Sequence, residues 1–348
     1  MADNTISQTC LKLRTTRCGE VDVHVLGDIQ QVSNRVVFLT VHDFGSNAHS
    51  FDRFVLHESM QEVRSRSVWL NVEVPGQGIN SPDLPSDYKF PSLQEIGEDV
   101  VEILNLVHVQ YVVGFGEGAG ANILTRFAMT YPNRVLGLIL IHPTATSAGI
   151  QEWFKEKWLN FTLKSSSSSN PSAEDYLVMY KFGNDTEGRE EGREQAIKQY
   201  LAELRSRINH KNLQLYMDAF SNRNDITTVL KDKLTCDVLI ICGNKSSFQH
   251  TVVTMYSHLN PQKASLLNID NVGDALNEAP AQVTRGLVLF CKGLGLLTSV
   301  TTPGERARSS TSLSGDGGAP RRRVSMQEAD LPRRISVTAQ RPPETSHL

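Results

Sequence analysis

Apolar and polar positions alternate along the first thirty residues, which predicts a hairpin with strands over 10–17 and 21–26 about a turn at Cys18-Gly19-Glu20. The pattern then changes to short continuous apolar runs at 35–42, 67–74, 110–115 and 135–141, the signature of strands buried on both faces. Helical periods separate these runs. One is predicted over 51–64. A second starts at Ser92, where Glu95 completes a capping box ahead of Ile96, Val100, Ile103, Leu104 and Val107. A third spans 119–131. Alternation of strand and helix implies a mostly parallel sheet with helices on both faces. It stops over 151–222, which is helix-rich, carries Trp153, Trp158, Tyr176 and Tyr180, and includes five serines at 165–169. It resumes with strands at 237–242 and 264–269 and helices at 252–258 and 280–297. The domain reading is a first core part over 1–145, a helical cap over 146–234, a second core part over 235–297 and a tail over 298–348.

Charge sharpens the last boundary. The 348 residues carry 35 Lys+Arg and 38 Asp+Glu, a net −3 that gives no reason to expect nucleic-acid binding. From Thr298 onward, however, eight Arg face five acids, a net +3, which leaves −6 on the rest. The tail is rich in Ser, Thr, Pro, Gly and Arg and too poor in apolar residues to offset the entropy of ordering, so it is expected to be disordered. The five cysteines fall in no zinc or disulfide spacing, and the N-terminus shows no secretory pattern. These features lead to the expectation of a cytoplasmic protein without metal or cofactor.

A hairpin, parallel βα units, a helical insertion after the fourth buried run and two further βα units follow the order of an α/β-hydrolase with a cap. Three motifs agree. His42-Asp-Phe-Gly45 resembles the loop that supplies one oxyanion amide, Val74-Pro-Gly-Gln-Gly78 resembles a Pro-Gly-x-Gly turn, and Gly114-Phe-Gly-Glu-Gly118 sits where a Gly-x-Ser-x-Gly elbow belongs. On that alignment Gly116 takes the nucleophile's place, Ser246 the acid's and Asp274 the histidine's. No histidine occurs between His258 and the tail, and Ser-His-Asp catalysis needs all three roles. A dinucleotide fingerprint at Gly114-x-Gly116-x-x-Ala119 lacks the acid expected at the end of the following strand. His42, Asp43, Gly114, Gly116, Gly118, His142, Ser246 and Asp274 are thus expected to surround a relic pocket. The plainer reading of His42, Asp43 and His142 is hydrogen bonding to loop backbone.

The chain also resembles the N-myc downstream-regulated (NDR) family of non-catalytic α/β-hydrolase-fold proteins. The resemblance lies in the serine-less elbow over 113–121, the His42-Asp-Phe-Gly45 loop, Tyr88-Lys-Phe-Pro-Ser92, the segment 213–225 and the Arg/Ser/Thr run at 306–313. Glu117, where a small residue is expected, and the serine run are departures. The resemblance implies a binding protein in differentiation, growth or stress signalling, sometimes peripheral to membranes.

Two surfaces are candidates for that binding. The cap, with its charged stretch over 189–207, is the expected protein-binding face. In the tail, arginines stand two to five residues before Thr311, Ser325 and Ser336, the arrangement that suits basophilic Ser/Thr kinases with acidic clefts. Each phosphate adds about −1.5 to −2, so three would reverse the tail's charge and switch its contacts with the acidic core or an anionic membrane. A small-molecule or lipid sensor using the relic pocket, and a hydrolase with a displaced nucleophile, are the alternatives.

Overall fold

The computed structural model describes residues 7–147, 173–183, 191–247 and 249–301. The serine run, Trp153, Trp158 and the tail sites Thr311, Ser325 and Ser336 lie outside the described residues.

Strands β1 (Gln8–Thr15) and β2 (Gly19–Leu26) form the expected hairpin, with Gly19 at φ +76° in its turn. They open an eight-stranded sheet of order β1-β2-β4-β3-β5-β6-β7-β8. Its other members are β3 (Val36–Val41), β4 (Ser67–Val72), β5 (Val112–Glu117), β6 (Val135–Ile141), β7 (Asp237–Gly243) and β8 (Ala264–Ile269). Every pairing from β4 onward along that order is parallel, and the two pairings of β2 are antiparallel. This is the α/β-hydrolase architecture anticipated from the apolar runs.

Successive strand residues point to opposite faces, so each continuous run feeds two cores. Val37, Leu39, Val41, Leu70 and Val72 join one cluster, which packs against helices α3 (Leu93–Leu106) and α4 (Gly118–Thr130). Val36, Phe38, Trp69, Val113 and Phe115 join the other. There Phe38 stacks on Trp69 at 4.3 Å, and Phe115 meets Phe51 and Phe54 at about 5.5 Å. The capping box of α3 is present as read, with Ser92 Oγ accepting the Glu95 N–H and Glu95 accepting the Ser92 N–H.

Two helix boundaries differ from the pattern. The single helix predicted over 51–64 is broken into α1 (Asp52–Leu56) and α2 (Gln61–Arg64). His57 takes extended geometry, φ −57° and ψ 146°, and its ring accepts the Ser59 N–H to cap the following turn. The last helix closes at Gly293 rather than near 297. Gly295 at φ +77° lets the Leu296 N–H return to the Cys291 carbonyl at 2.8 Å, a Schellman stop.

The described cap comprises α5 (Ala173–Phe182), α6 (Glu191–Arg207), α7 (His210–Ser221) and α8 (Thr227–Lys233). Helix α7 holds it on the core. Tyr216 OH donates to the His42 carbonyl at 3.0 Å, and Phe220 packs on Phe44 at 5.2 Å. The Asn212 amide donates to the carbonyls of Gly76 and Pro82 and accepts from Leu84 N–H. The other α-helices among the described residues are α9 (Gln249–Ser257), α10 (Ala275–Glu278) and α11 (Pro280–Gly293).

Candidate functional site at the cap–core junction

The elbow lies two residues beyond the position read from the sequence. Strand β5 continues through Glu117, so Gly114 and Gly116 are strand residues. The sharp turn is made by Gly118 at φ +52°, a conformation that favours glycine. The Gly-x-Gly-x-Gly frame in use is therefore Gly116-Glu117-Gly118-Ala119-Gly120. A second glycine is needed at 120, where a Cβ would lie 2.0 Å from the Val41 carbonyl oxygen, so α4 can start hard against the end of β3. Gly118, and not Gly116, therefore stands at the elbow turn, and neither has a side chain.

Asp43 occupies the space that a nucleophile would need. A Cβ built on Gly118 would meet Asp43 Oδ2 at 2.0 Å. The same carboxyl, through Oδ1, accepts the Phe44 N–H at 2.9 Å and the Ala119 N–H at 2.8 Å. The amide after the elbow residue and an amide of the loop after β3 are the pair that forms an oxyanion hole in this architecture. Here that pair is filled by the chain's own carboxyl, which the Tyr180 hydroxyl of α5 also hydrogen-bonds. Burial, followed by the nearby Glu117 charge, pushes the Asp43 pKa up to about 7.

Asp274, at the position read as the histidine's, shares a lysine with Glu117. Lys181, from α5, places Nζ 2.6 Å from Glu117 Oε1 and 3.5 Å from Asp274 Oδ2. Burial works against the ammonium charge, but Asp274 and Glu117 outweigh it and hold Lys181 above the ordinary lysine value. Asp274 also caps α10, accepting the N–H groups of Leu276 and Asn277 and the Asn277 amide. Burial opposes its ionisation; Lys181 and Asn277 prevail and keep it below the usual carboxylate range. Glu117 is shifted the other way, because its burial exceeds what Lys181 returns.

The remaining expected residues divide between pocket and framework. Asp43, His142 and Ser246 line a cavity of about 20 Å³ together with Glu117, Thr144, Tyr180, Lys181, Thr251 and Val252. That is room for about one water. His142 sits at φ +47° with Nε2 accepting the Gly243 N–H at 3.2 Å, and desolvation pushes its pKa down to about 4. Ser246 Oγ contacts Cys242 Sγ at 3.4 Å. His42 does not line this cavity. Its Nδ1 donates to the Asp43 carbonyl at 2.8 Å, and its Nε2 takes the Val74 N–H at 3.1 Å and lies 2.8 Å from Glu73 Oε1. It fixes the loop that carries Asp43. Gly114, packed against Leu138, likewise belongs to the sheet and lies outside the pocket.

Sequence reasoning missed Lys181 and Tyr180 as site residues and registered Glu117 only as a departure. An acid within a glycine run at the end of a buried strand was a usable signal. Lys181 gave none, since 64 positions separate it from Glu117. Among the described residues no group of three or more His, Cys, Asp or Glu could hold a metal ion. No described helix is long and apolar enough to cross a membrane.

The Ndr family model matches residues 12–298. The chain belongs to the Ndr family. It is 43% identical over 328 residues, 94% of each chain, to an uncharacterized protein of Caenorhabditis elegans. It is also 28% identical to an NDRG-like protein of Dictyostelium discoideum, covering 77% of this chain and 81% of that one, and 28% identical to Protein NDRG2 of Homo sapiens, covering 85% and 79%. Among solved structures, a thermophilic esterase from Thermogutta terrifontis is similar with a TM-score of 0.62 at 17% identity, covering 82% of this chain and 99% of that one. A carboxylesterase from Nitrososphaera gargenis gives 0.63 at 14% identity, covering 83% and 100%. Those likenesses concern the fold alone. This Ndr chain has the α/β-hydrolase fold and holds its own Asp43 carboxyl on the Phe44 and Ala119 amides.

Proposed function

We propose that this Ndr family chain is a non-catalytic protein that acts by binding other proteins in differentiation, growth or stress signalling in the cytoplasm. The observation that carries the non-catalytic reading is the Asp43 carboxyl held by the Phe44 and Ala119 amides beside a side-chain-free Gly118. A tetrahedral oxyanion needs those two donors, and Asp43 already takes both. The experiment is a burst assay with an activated ester such as p-nitrophenyl acetate. The expected result is no burst above background in wild type and none in His42→Ala. A burst lost on His42→Ala would overturn the reading in favour of a displaced nucleophile.

Regulation in this proposal enters through the tail. Basophilic Ser/Thr kinases recognise the arginines ahead of Thr311, Ser325 and Ser336, and phosphorylation reverses the +3 charge that would otherwise favour the acidic core or an anionic membrane surface. Replacing all three hydroxyl residues by Ala is expected to remove most labelling by such a kinase. Full labelling of the triple variant would refute the assignment.

A further inference from the structure

The Glu117–Lys181 pair is a wall shared by two cavities. One is the single-water space described above. The other, about 90 Å³, lies between the loop after β3, helix α6 of the cap and the start of α10. It is the roomier of the two, with space for several waters or one molecule of a few non-hydrogen atoms. Ser50, Glu117, Lys181, Ala196 and Tyr200 are among its lining residues, and Arg53 stands at its edge bonded to Gln199 and Asn277.

Two polar atoms on this lining are buried without a hydrogen-bond partner: Glu117 Oε2 and Ser50 Oγ. Glu117 is only 4% exposed. A buried carboxylate oxygen with nothing donating to it is among the costlier arrangements in a protein interior. Local charge adds to this. Among the described residues Lys181 is the lysine that pairs with Glu117, and it is shared with Asp274. One ammonium thus serves two buried carboxyls, meeting Glu117 through Oε1, while His49 on the same lining is taken up by Asp52. The Arg53 guanidinium does not correct this, because it is exposed and turned to Gln199 and Asn277, with the exposed Glu203 on the same rim.

We infer that the larger cavity is a binding site for a small amino alcohol, whose ammonium donates to Glu117 Oε2 and whose hydroxyl pairs with Ser50 Oγ. The cavity suits a small ligand, and its two unpaired oxygens call for hydrogen-bond donors, which a carboxylate lacks. Because Lys181 comes from α5 and Ala196 from α6, such a ligand would touch core and cap together and bias their docking. The inference rests on the non-catalytic reading only in treating the ligand as bound and not consumed.

The test is calorimetric titration of the full chain with three probes of four non-hydrogen atoms each: 2-aminoethanol, ethylene glycol and acetate. The expected result is saturable binding of 2-aminoethanol, at least tenfold weaker binding of ethylene glycol, and none of acetate. Glu117→Gln should weaken 2-aminoethanol binding at least tenfold. Ala196→Leu, which fills the cavity without touching the ion pair, should abolish it even if Glu117→Gln fails to fold. Equal or tighter binding of acetate, binding that survives Ala196→Leu, or no binding of any probe would each overturn the site. Conversion of the bound amino alcohol would instead overturn the non-catalytic reading and leave the site standing.

Discussion

The two halves of the candidate site are closed by different means. On the elbow side, Asp43 is satisfied largely from within the core, by amides of its own loop and of the first turn of α4, with Tyr180 added from the cap. On the opposite side, Glu117 and Asp274 depend on Lys181, which the cap supplies. A carboxyl met by fixed backbone dipoles tolerates movement of the cap. Two buried carboxylates sharing a borrowed ammonium do not. The cap is therefore coupled electrostatically to one half of the site far more than to the other.

The largest test of that contrast removes the borrowed charge. Lys181→Met should cost about 3–5 kcal/mol, because two buried acids lose their counter-ion. Urea unfolding would measure this, and a loss under 1 kcal/mol would show that the cap does not neutralise the core. Next comes the elbow. Gly118→Ala forces a Cβ into Asp43 at a positive φ, and about 2–4 kcal/mol of destabilisation is expected. If Asp43→Gly in the same chain relieves most of that cost, the clash is with the carboxyl as described.

A pH experiment separates the two sides more finely. Asp43, raised to about 7, binds its proton more tightly folded than unfolded, so its contribution is full below about pH 4 and is lost as pH rises to 7. His142, lowered to about 4, does the reverse: its contribution is present above about pH 6.5 and is lost as pH falls toward 4. The two oppose each other between about pH 4 and 6.5, each with a slope of at most about 1.4 kcal/mol per pH unit. Asp43→Asn should therefore gain on wild type as pH rises from 5 to 7 in parallel unfolding curves. A constant difference would mean that Asp43 does not titrate there. The smallest effect is expected within the cap. Arg205 pairs with Glu174 at 2.5 Å, but the arginine side chain is 62% exposed. Arg205→Ala should cost under about 1 kcal/mol, with most of that loss gone in high salt.

Much of the scaffold could be read before any coordinates. The hairpin, the six parallel strands and the capping box at Ser92 follow from local rules of alternation, continuous apolar runs and hydroxyl-to-glutamate spacing. The elbow could be read only to within two residues. Glycines at 114, 116, 118 and 120 satisfy the same Gly-x-x-x-Gly spacing in more than one frame, and only the end of the β5 hydrogen-bond ladder selects Gly118. His42 and Asp43 were correctly placed at a strand end, yet their roles differ: one braces the loop and the other fills the hole. That division depends on which atoms α4 and β4 bring within reach.

The amino-acid sequence by itself determined the architecture and the glycine run at the elbow, because strand runs and glycine positions are properties of neighbours along the chain. Tertiary structure alone decided which groups meet the buried carboxyls. Asp43 meets Ala119 across 76 positions and Glu117 meets Lys181 across 64, and no local pattern encodes such pairs. They form because burying a carboxyl without a donor is costly, so the folded chain brings to each one whichever N–H or ammonium the packing of sheet and cap places beside it.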